Sequence, residues 1–386
     1  MKTGSNIFRL AAFIVSAALL LSSVSGCRPK ADRYSDGSGA ASSDVRLTVY
    51  ADEQYRLSLE RAIYRISRAH PEWKIAFADK DADIVITDRF TDERCRASAD
   101  LSRFAEERSE IFVPQLIYKS GDSVKGLPLF LKLQCLWYDT LYAKMRSTEI
   151  PNTLQGLLAM QGSDNNLIAL RSDDVSALFW SVTAPYYISG GGSVGELESG
   201  RLDSEKIGYA ASKTLEIINK TVFCASEEAM LQFKSEQSLF CIADAADISA
   251  ERHNMPINSS LFFSPYVLFD SFENIPVILR AAYVSISAKT DAEYANAFLD
   301  ELYKNETLVN MLKYTEIPLA CRIDYGDTSI PELISHINNI LSSPGLALCY
   351  VNCRWDDLKT ENAAAAMNGL INGSMGINEI KEIFSK

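Results

Sequence analysis

The feature that most constrains the fold is a strand–helix–strand pattern that begins at residue 45. Val45–Tyr50 alternates and is rich in β-branched residues, which predicts a strand. Apolar residues then recur at helical spacing over 55–66, and Pro71 ends that helix. Lys74–Ala78 and Ile84–Thr87 predict two further strands. A unit of this kind requires a parallel sheet covered on both faces, so the fold class is predicted to be α/β.

The α/β pattern continues to the end of the chain, and no internal repeat is apparent. Further strands are predicted at Gln134–Tyr142, Leu239–Ala243 and Tyr283–Ser287. Helices are predicted at Leu101–Phe104, Pro151–Met160, Val175–Tyr187, Ser204–Asn219, Glu227–Lys234, Ala295–Leu302, Leu308–Lys313, Ile330–Leu341, Thr360–Ile371 and Asn378–Phe384. The length of 386 residues suits two or three domains of ~150 residues each.

The charge balance excludes one class of partner. The net charge is −12 and the isoelectric point is near 4.9, so nucleic acid and anionic bilayers repel this surface. Apolar residues make up 47% of the chain, which is too many for a disordered protein. A soluble globular protein with a substantial core is expected.

The N-terminus has the layout of a secretory signal over residues 1–26. Lys2 and Arg9 precede the apolar stretch Leu10–Leu21, and small residues lead to Cys27. The apolar stretch is shorter than the ~20 residues of a membrane span. Val24–Cys27 resembles the bacterial lipobox, which implies that Cys27 carries lipid. Residues 27–43 are rich in Ser, Gly and Ala and predict a flexible tether. A plain signal peptide with an incidental Cys27 and an uncleaved anchor are the alternatives.

Several short segments, in their order along the chain, resemble one protein family. They are Gly126–Pro128 followed by Leu136–Asp139, Ile150–Leu157, Phe233–Asp244, Val284–Ser287 with Ala295–Leu302, and Ile317–Pro318. Together they resemble the sugar-binding family of extracellular solute-binding proteins of bacterial ABC transporters, related to maltose-binding protein. Two positions depart from the family pattern, since Asp139 replaces an Asn and Asp244 an aromatic residue.

The resemblance implies a two-lobed periplasmic-binding-protein-like fold of type II, in which each lobe is a mainly parallel sheet flanked by helices. The first lobe is predicted to comprise 44–145 plus 275–328, and the second 146–274 plus 329–386. A polar small molecule, most of all a sugar, would bind in the cleft while the lobes close about a hinge. The lipid-anchored monomer would face the extracellular side or periplasm and deliver its solute to an ABC transporter permease, with no cofactor and no nucleic acid.

Three carboxylates are candidate ligand contacts. Asp52 and Asp88 follow the carboxyl ends of predicted strands, which is the edge where open α/β sheets bind ligands. Capping of the following helices is the alternative role for both. Asp244 follows a buried strand, where the resemblance places a ligand-contacting aromatic residue.

Four aromatic residues are candidates for stacking on the apolar face of a sugar ring. Trp180, Tyr186 and Tyr187 lie in a predicted helix that ends before a Gly-rich loop, and core packing is the alternative, above all for Trp180. Trp355 lies in a polar stretch, so it is predicted to line the cleft and to make few core contacts. Trp137 and Tyr138 are predicted to be core residues.

Catalysis is not expected. The three histidines, His70, His253 and His336, are far apart, and no nucleophile, phosphate-binding or metal-ligand motif is present. An extracellular hydrolase is therefore the weakest alternative, and no metal site is predicted. A solute-sensing ectodomain that presents its ligand to a membrane receptor is not separated from an importer by the sequence.

Overall fold

The computed structural model describes residues 45–78, 81–145, 147–151, 153–160, 167–172, 175–224, 229, 233, 238–248, 263–266, 276–315, 317–324, 326, 334, 337 and 348–385. The predicted signal, most of the two helices predicted at Glu227–Lys234 and Ile330–Leu341, and the lipidation at Cys27 lie outside these residues. Asp44–Lys386 make up one compact unit. Within the described ranges, no helix has the length and apolar character needed to cross a membrane.

Strands and helices alternate along the chain, as expected for an α/β fold, but the strand predicted at Gln134–Tyr142 ends at Asp139, where a helix begins. In chain order the strands are β1 (Val45–Ala51), β2 (Trp73–Phe77), β3 (Ile84–Thr87), β4 (Tyr118–Ser120), β5 (Ser123–Lys132), β6 (Gln134–Asp139), β7 (Ile168–Arg171), β8 (Thr221–Cys224), β9 (Phe240–Asp244), β10 (Phe263–Tyr266), β11 (Val277–Ile286) and β12 (Leu348–Tyr350). The helices are α1 (Glu53–Ala69), α2 (Asp92–Ala97), α3 (Ser102–Glu107), α4 (Thr140–Met145), α5 (Leu154–Ala159), α6 (Val175–Leu178), α7 (Ala184–Ser189), α8 (Val194–Ser199), α9 (Ser204–Ile218), α10 (Ala292–Leu302), α11 (Asn305–Thr315), α12 (Asp357–Asn372) and α13 (Ile377–Ser385). Short 3₁₀ (Pro114–Leu116) and π-helical (Phe179–Thr183) segments complete the fold.

Two sheets organise these elements. The first has the order β2–β1–β3–β11–β5–β4, with β12 paired to β11. The second has the order β10–β6–β9–β7–β8. Strands β2 and β3 both run parallel to β1, which confirms the predicted strand–helix–strand unit. Helix α1 buries the apolar side chains Tyr55, Leu59 and Ile66.

Each sheet is mixed, whereas mainly parallel sheets were predicted. Strand β11 runs antiparallel to β3 and β5, and β6 runs antiparallel to β9 and β10. The parallel pairs are those of β1 with β2 and β3, of β7 with β8 and β9, and of β11 with β12. Between β5 and β6 only Leu133 separates a strand of the first sheet from a strand of the second. A strand can join its neighbour in parallel only through a crossover connection, as α1 provides between β1 and β2, and the antiparallel pairs have no such requirement.

Strand pairing also assigns two segments to sheets. Strand β6 belongs to the second sheet, although its residues fall in the range predicted for the first lobe. Strand β12 belongs to the first sheet, although its residues fall in the range predicted for the second. Both segments lie where the chain passes between the sheets. The lobe boundaries themselves stay a prediction.

Candidate functional site

A cavity of about 670 Å³ lies between side chains of the first sheet and helical segments that pack on the second. Its charged wall consists of Asp52, Glu53, Asp88, Arg89, Lys132 and Arg280. Its aromatic wall consists of Phe179, Trp180 and Trp355. The cavity therefore combines fixed hydrogen-bonding groups on one side with flat apolar rings on the other.

Asp52 lies at the end of β1, directly before α1. It occupies the position of a helix cap, but its side chain makes no capping hydrogen bond. Its Oδ1 instead accepts a hydrogen bond from the Tyr50 hydroxyl at 3.1 Å, and its Oδ2 accepts one from the backbone N–H of Asp88 at 3.1 Å. The side chain thus joins the ends of β1 and β3 at the cavity edge, as the strand-end position predicts.

Asp88 and Lys132 form an ion pair in the charged wall. Burial opposes ionisation of Asp88, but Lys132, Arg280 and Arg89 outweigh it and lower the pKa of this carboxyl. Burial likewise opposes protonation of Lys132, and the two carboxylates Asp88 and Asp244 outweigh it, so the pKa of this amine is raised. Both groups are therefore charged at neutral pH and hold each other at the cavity surface.

The aromatic wall is built on the π-helical segment between α6 and α7. Widened helical turns of this kind occur frequently at functional sites. The rings of Trp180 and Trp355 lie 5.1 Å apart, and Phe179 lies within 5.2 Å of both. The indole N–H of Trp355 donates to the Leu197 carbonyl at 2.7 Å. Trp180 and Trp355 are only 5% and 6% exposed, so most of each ring belongs to the core of the second sheet.

This burial corrects one expectation. Trp355 does line the cavity, but it makes extensive core contacts, with Phe179, Trp180 and Phe384 around it. The polar neighbours of Trp355 in sequence face away from this cluster, for example Arg354, whose guanidinium lies over the Tyr118 ring. A polar stretch in the sequence therefore did not indicate an exposed ring.

Arg280 joins the two walls. Its guanidinium lies 4.0 Å from the centroid of the Trp180 ring, and its Nη2 donates to Oε1 of Gln134 in β6. Sequence reasoning missed Arg280 and Lys132. One signal was present for Arg280, since it is the one charged residue in the strand Val277–Ile286, whose other residues are apolar or aromatic except for Ser285.

Tyr186 and Tyr187 do not line the cavity, contrary to prediction. Both lie in α7 and are fully buried, and Tyr186 packs edge-on against Tyr209 of α9. The hydroxyl of Tyr187 donates to Glu196 at 2.9 Å and accepts from the backbone N–H of Asp203 at 2.8 Å. Burial is the main cause that raises the pKa of Tyr187. The pair holds α7 to α8 and α9, because the helix turns this face toward the core.

Asp244 ends β9 opposite Gln134 and is not part of the cavity lining. Its Oδ1 accepts from the backbone N–H of Ala246 at 3.0 Å, whereas its buried Oδ2 has no hydrogen-bond partner among the described residues. Burial raises the pKa of Asp244 to about 6, reinforced by Asp247 and opposed by Lys132 and Arg280. Asp244 therefore acts on the charged wall electrostatically rather than by contact.

In the part of the chain that the structure describes, no cluster of three or more His, Cys, Asp or Glu side chains is placed to hold a metal ion.

Of the seven predicted ligand contacts, the structure brings four together around one cavity, namely Asp52, Asp88, Trp180 and Trp355. The other three, Tyr186, Tyr187 and Asp244, do not line it.

Comparison with known proteins yields matches in structure alone. No protein-family model matches the chain, and no curated protein matches it. The GacH receptor of Streptomyces glaucescens, solved unliganded and with acarbose, is 13% identical over 89% of this chain and 97% of its own, with a TM-score of 0.69. A sugar transporter protein of Bacillus licheniformis, solved with stachyose, is 13% identical over 88% of this chain and 98% of its own, with a TM-score of 0.66.

The chain has the fold of a two-lobed extracellular solute-binding protein. A probable secreted solute-binding lipoprotein of Streptomyces coelicolor is similar to it as well, at 14% identity over 88% of this chain and 97% of its own, with a TM-score of 0.66. The predicted type II fold and the predicted resemblance are confirmed. In this solute-binding fold the cavity lies between the two sheets, where the charged and aromatic walls meet.

Proposed function

We propose that this chain captures a polar small molecule, and in particular a sugar, in the cavity between its charged and aromatic walls. The observation that carries the proposal is the composition of that cavity. Charged groups that are already paired offer fixed donors and acceptors to hydroxyl groups, and rings offer apolar faces. The solved neighbours with acarbose and stachyose are sugar-binding proteins and support this ligand class.

Ligand binding is proposed to close the two lobes about the segments where the chain passes between the two sheets. The lobes are proposed to be 44–145 plus 275–328 and 146–274 plus 329–386, with β6 and β12 each pairing in the sheet of the other lobe. The charged wall comes mainly from the first sheet, and the aromatic wall from the π-helical segment and Trp355, which belong to the core of the second. A solute that touches both walls therefore stabilises the closed arrangement. The closed form would deliver its solute to an ABC transporter permease, and binding requires no chemical step.

The location of the protein rests on its N-terminal sequence. Residues 1–26 are proposed to direct export, and Cys27 to carry lipid at the outer face of the membrane, with 27–43 as the tether. The similar lipoprotein of Streptomyces coelicolor supports this arrangement. Cys27→Ser should shift the protein from the membrane fraction to the soluble fraction. Retention on membranes after a carbonate wash would contradict lipid anchoring.

A thermal-shift screen of the purified chain tests ligand capture. Neutral sugars, acidic sugars and non-sugar polar solutes form its three panels. A ligand at 100 times its dissociation constant adds ~2.7 kcal/mol to the free energy of unfolding. We expect a saccharide to raise the melting temperature, and Asp88→Ala to abolish that rise. Asp122→Ala, at an exposed position, is the matched control. If no saccharide stabilises the protein, the proposed function is wrong.

A further inference from the structure

Arg280 is a cavity residue to which the proposed function gives no role of its own. Its guanidinium is held flat on the Trp180 ring, at 4.0 Å from the centroid, and by one hydrogen bond to Gln134. A guanidinium carries several N–H donors in a fixed planar fork, and the hydrogen bond to Gln134 comes from one nitrogen, Nη2. The other N–H donors belong to the same Arg280 side chain, which lines the cavity.

The carboxylates around Arg280 are engaged elsewhere. Oδ2 of Asp88 accepts from Lys132 and from Gln54, and Asp52 accepts from Tyr50 and from the backbone N–H of Asp88. Among the described residues, no carboxylate forms an ion pair with Arg280. Asp88 and Asp244 act on it only through their longer-range field. Within the part of the chain that the structure describes, Arg280 is thus a cation of the cavity lining without a directly bound carboxylate.

We propose that Arg280 binds the carboxylate of an acidic sugar, a hexuronate unit, in this cavity. The inference rests on the proposed function and narrows its ligand class. Arginine matches a carboxylate with two parallel N–H···O bonds, and stacking on Trp180 fixes the plane in advance, so less side-chain entropy is lost on binding. Partial burial strengthens the pairing by reducing the screening of water.

The surrounding charges favour a singly charged group. Lys132 is already neutralised by Asp88, whereas Arg280 has no carboxylate within ion-pair distance among the described residues. Arg89, the other cation of the cavity lining, is exposed to solvent. Asp52, Glu53 and Asp88 also line the cavity and would repel a dianion such as a phosphate monoester. A hexuronate carries one carboxylate per sugar ring, so it supplies an anionic partner for Arg280 without the second negative charge of a dianion. The ring itself lies toward the aromatic wall.

Matched pairs of sugars test this proposal on the full chain. The probes are glucuronate, galacturonate and mannuronate with their dimers, each paired with its neutral hexose or hexose dimer, in calorimetric titrations. We expect at least one hexuronate to bind about tenfold or more tightly than its neutral partner, the effect of a charged hydrogen bond. Arg280→Gln should abolish this preference, and Arg280→Lys, which keeps the charge but loses the fork, should weaken it. Arg103→Gln, at a position 90% exposed on α3, should leave it unchanged.

The outcomes separate the two proposals. Binding of neutral sugars without any preference for their acids overturns the assignment of Arg280 and leaves sugar capture standing. A preference that survives Arg280→Gln, with circular dichroism showing a folded variant, overturns it as well. Failure of every acidic and neutral sugar to bind overturns sugar capture, and this inference with it.

Discussion

The two walls of the cavity are built in opposite ways. The charged wall includes side chains at strand ends, such as Asp52 and Asp88, and the Asp52 carboxylate accepts a hydrogen bond from the backbone N–H of Asp88. The aromatic wall consists of rings that also form the core of the second sheet, such as Trp180 and Trp355. The charged wall can therefore change with modest cost to the fold, whereas the aromatic wall is a structural element that happens to face the cavity. Substitutions in the aromatic wall should therefore reduce stability more than substitutions in the charged wall.

The largest expected effect is that of Trp355→Ala in the aromatic wall. Loss of a buried indole from a packed cluster costs about 3–5 kcal/mol. The hydrogen bond of its Nε1 to Leu197 is lost as well. Chemical denaturation of the ligand-free protein measures the change. Tyr64→Ala, at a position 67% exposed on α1, is the control and should change stability little. If Trp355→Ala leaves the free energy of unfolding unchanged, the aromatic wall is not structural.

A smaller loss is expected for Lys132→Met in the charged wall. The variant leaves the Asp88 carboxylate partly buried without its cation, which costs about 2 kcal/mol. The pair is partly exposed, at 16% and 13%, so the penalty stays below that of a fully buried pair. Denaturation in the absence of ligand measures it, with the exposed Lys119→Met as the control. Asp88→Asn combined with Lys132→Met should recover part of the loss. No recovery in the double variant would contradict a direct pairing.

Asp244→Asn should stabilise the protein at pH 7, by on the order of 1–2 kcal/mol. The folded-state pKa of Asp244, about 6, lies above its ordinary value of 3.8. The folded state therefore retains a proton that the unfolded chain releases, and the free energy of unfolding falls as the pH rises from about 4 to about 6.

The asparagine variant lacks this titration, so its advantage over wild type should be present at pH 7 and vanish near pH 4. Urea denaturation at both values measures it, and the exposed Asp122→Asn is the control. A variant that is less stable than wild type at pH 7 would show that the ionised carboxylate of Asp244 is favourable to the fold.

The smallest effect concerns Tyr187, which belongs to neither wall. Tyr187→Phe removes the hydroxyl that contacts Glu196 and Asp203, and it should cost about 1 kcal/mol of stability. The affinity for the best saccharide of the screen should stay unchanged, because the residue lies outside the cavity. Thermal unfolding and titration are measured together, with Tyr64→Phe as the control. A loss of affinity without a loss of stability would show that Tyr187 belongs to the binding site.

The sequence by itself determined the strand–helix–strand unit, many of the other elements and the two strand-end carboxylates of the charged wall. Local spacing of apolar residues fixes strands and helices, and a polar residue that ends a parallel strand must lie at the edge where the strand ends meet. Asp52 and Asp88 were therefore predictable without the tertiary structure. The order along the chain of the short segments that resemble the solute-binding family was also enough to predict the two-lobed fold.

The tertiary structure alone decided the rest of the cavity. Whether a helical aromatic such as Trp180 or Tyr187 faces a cavity or the core depends on which elements pack against it, and helical spacing is the same in both cases. The same holds for Lys132 and Arg280, which meet Asp88 and Trp180 across long separations in sequence. The mixed pairing of the sheets was also decided by the tertiary structure, because the direction of a strand relative to its neighbours depends on which strands it pairs with and not on its own residues.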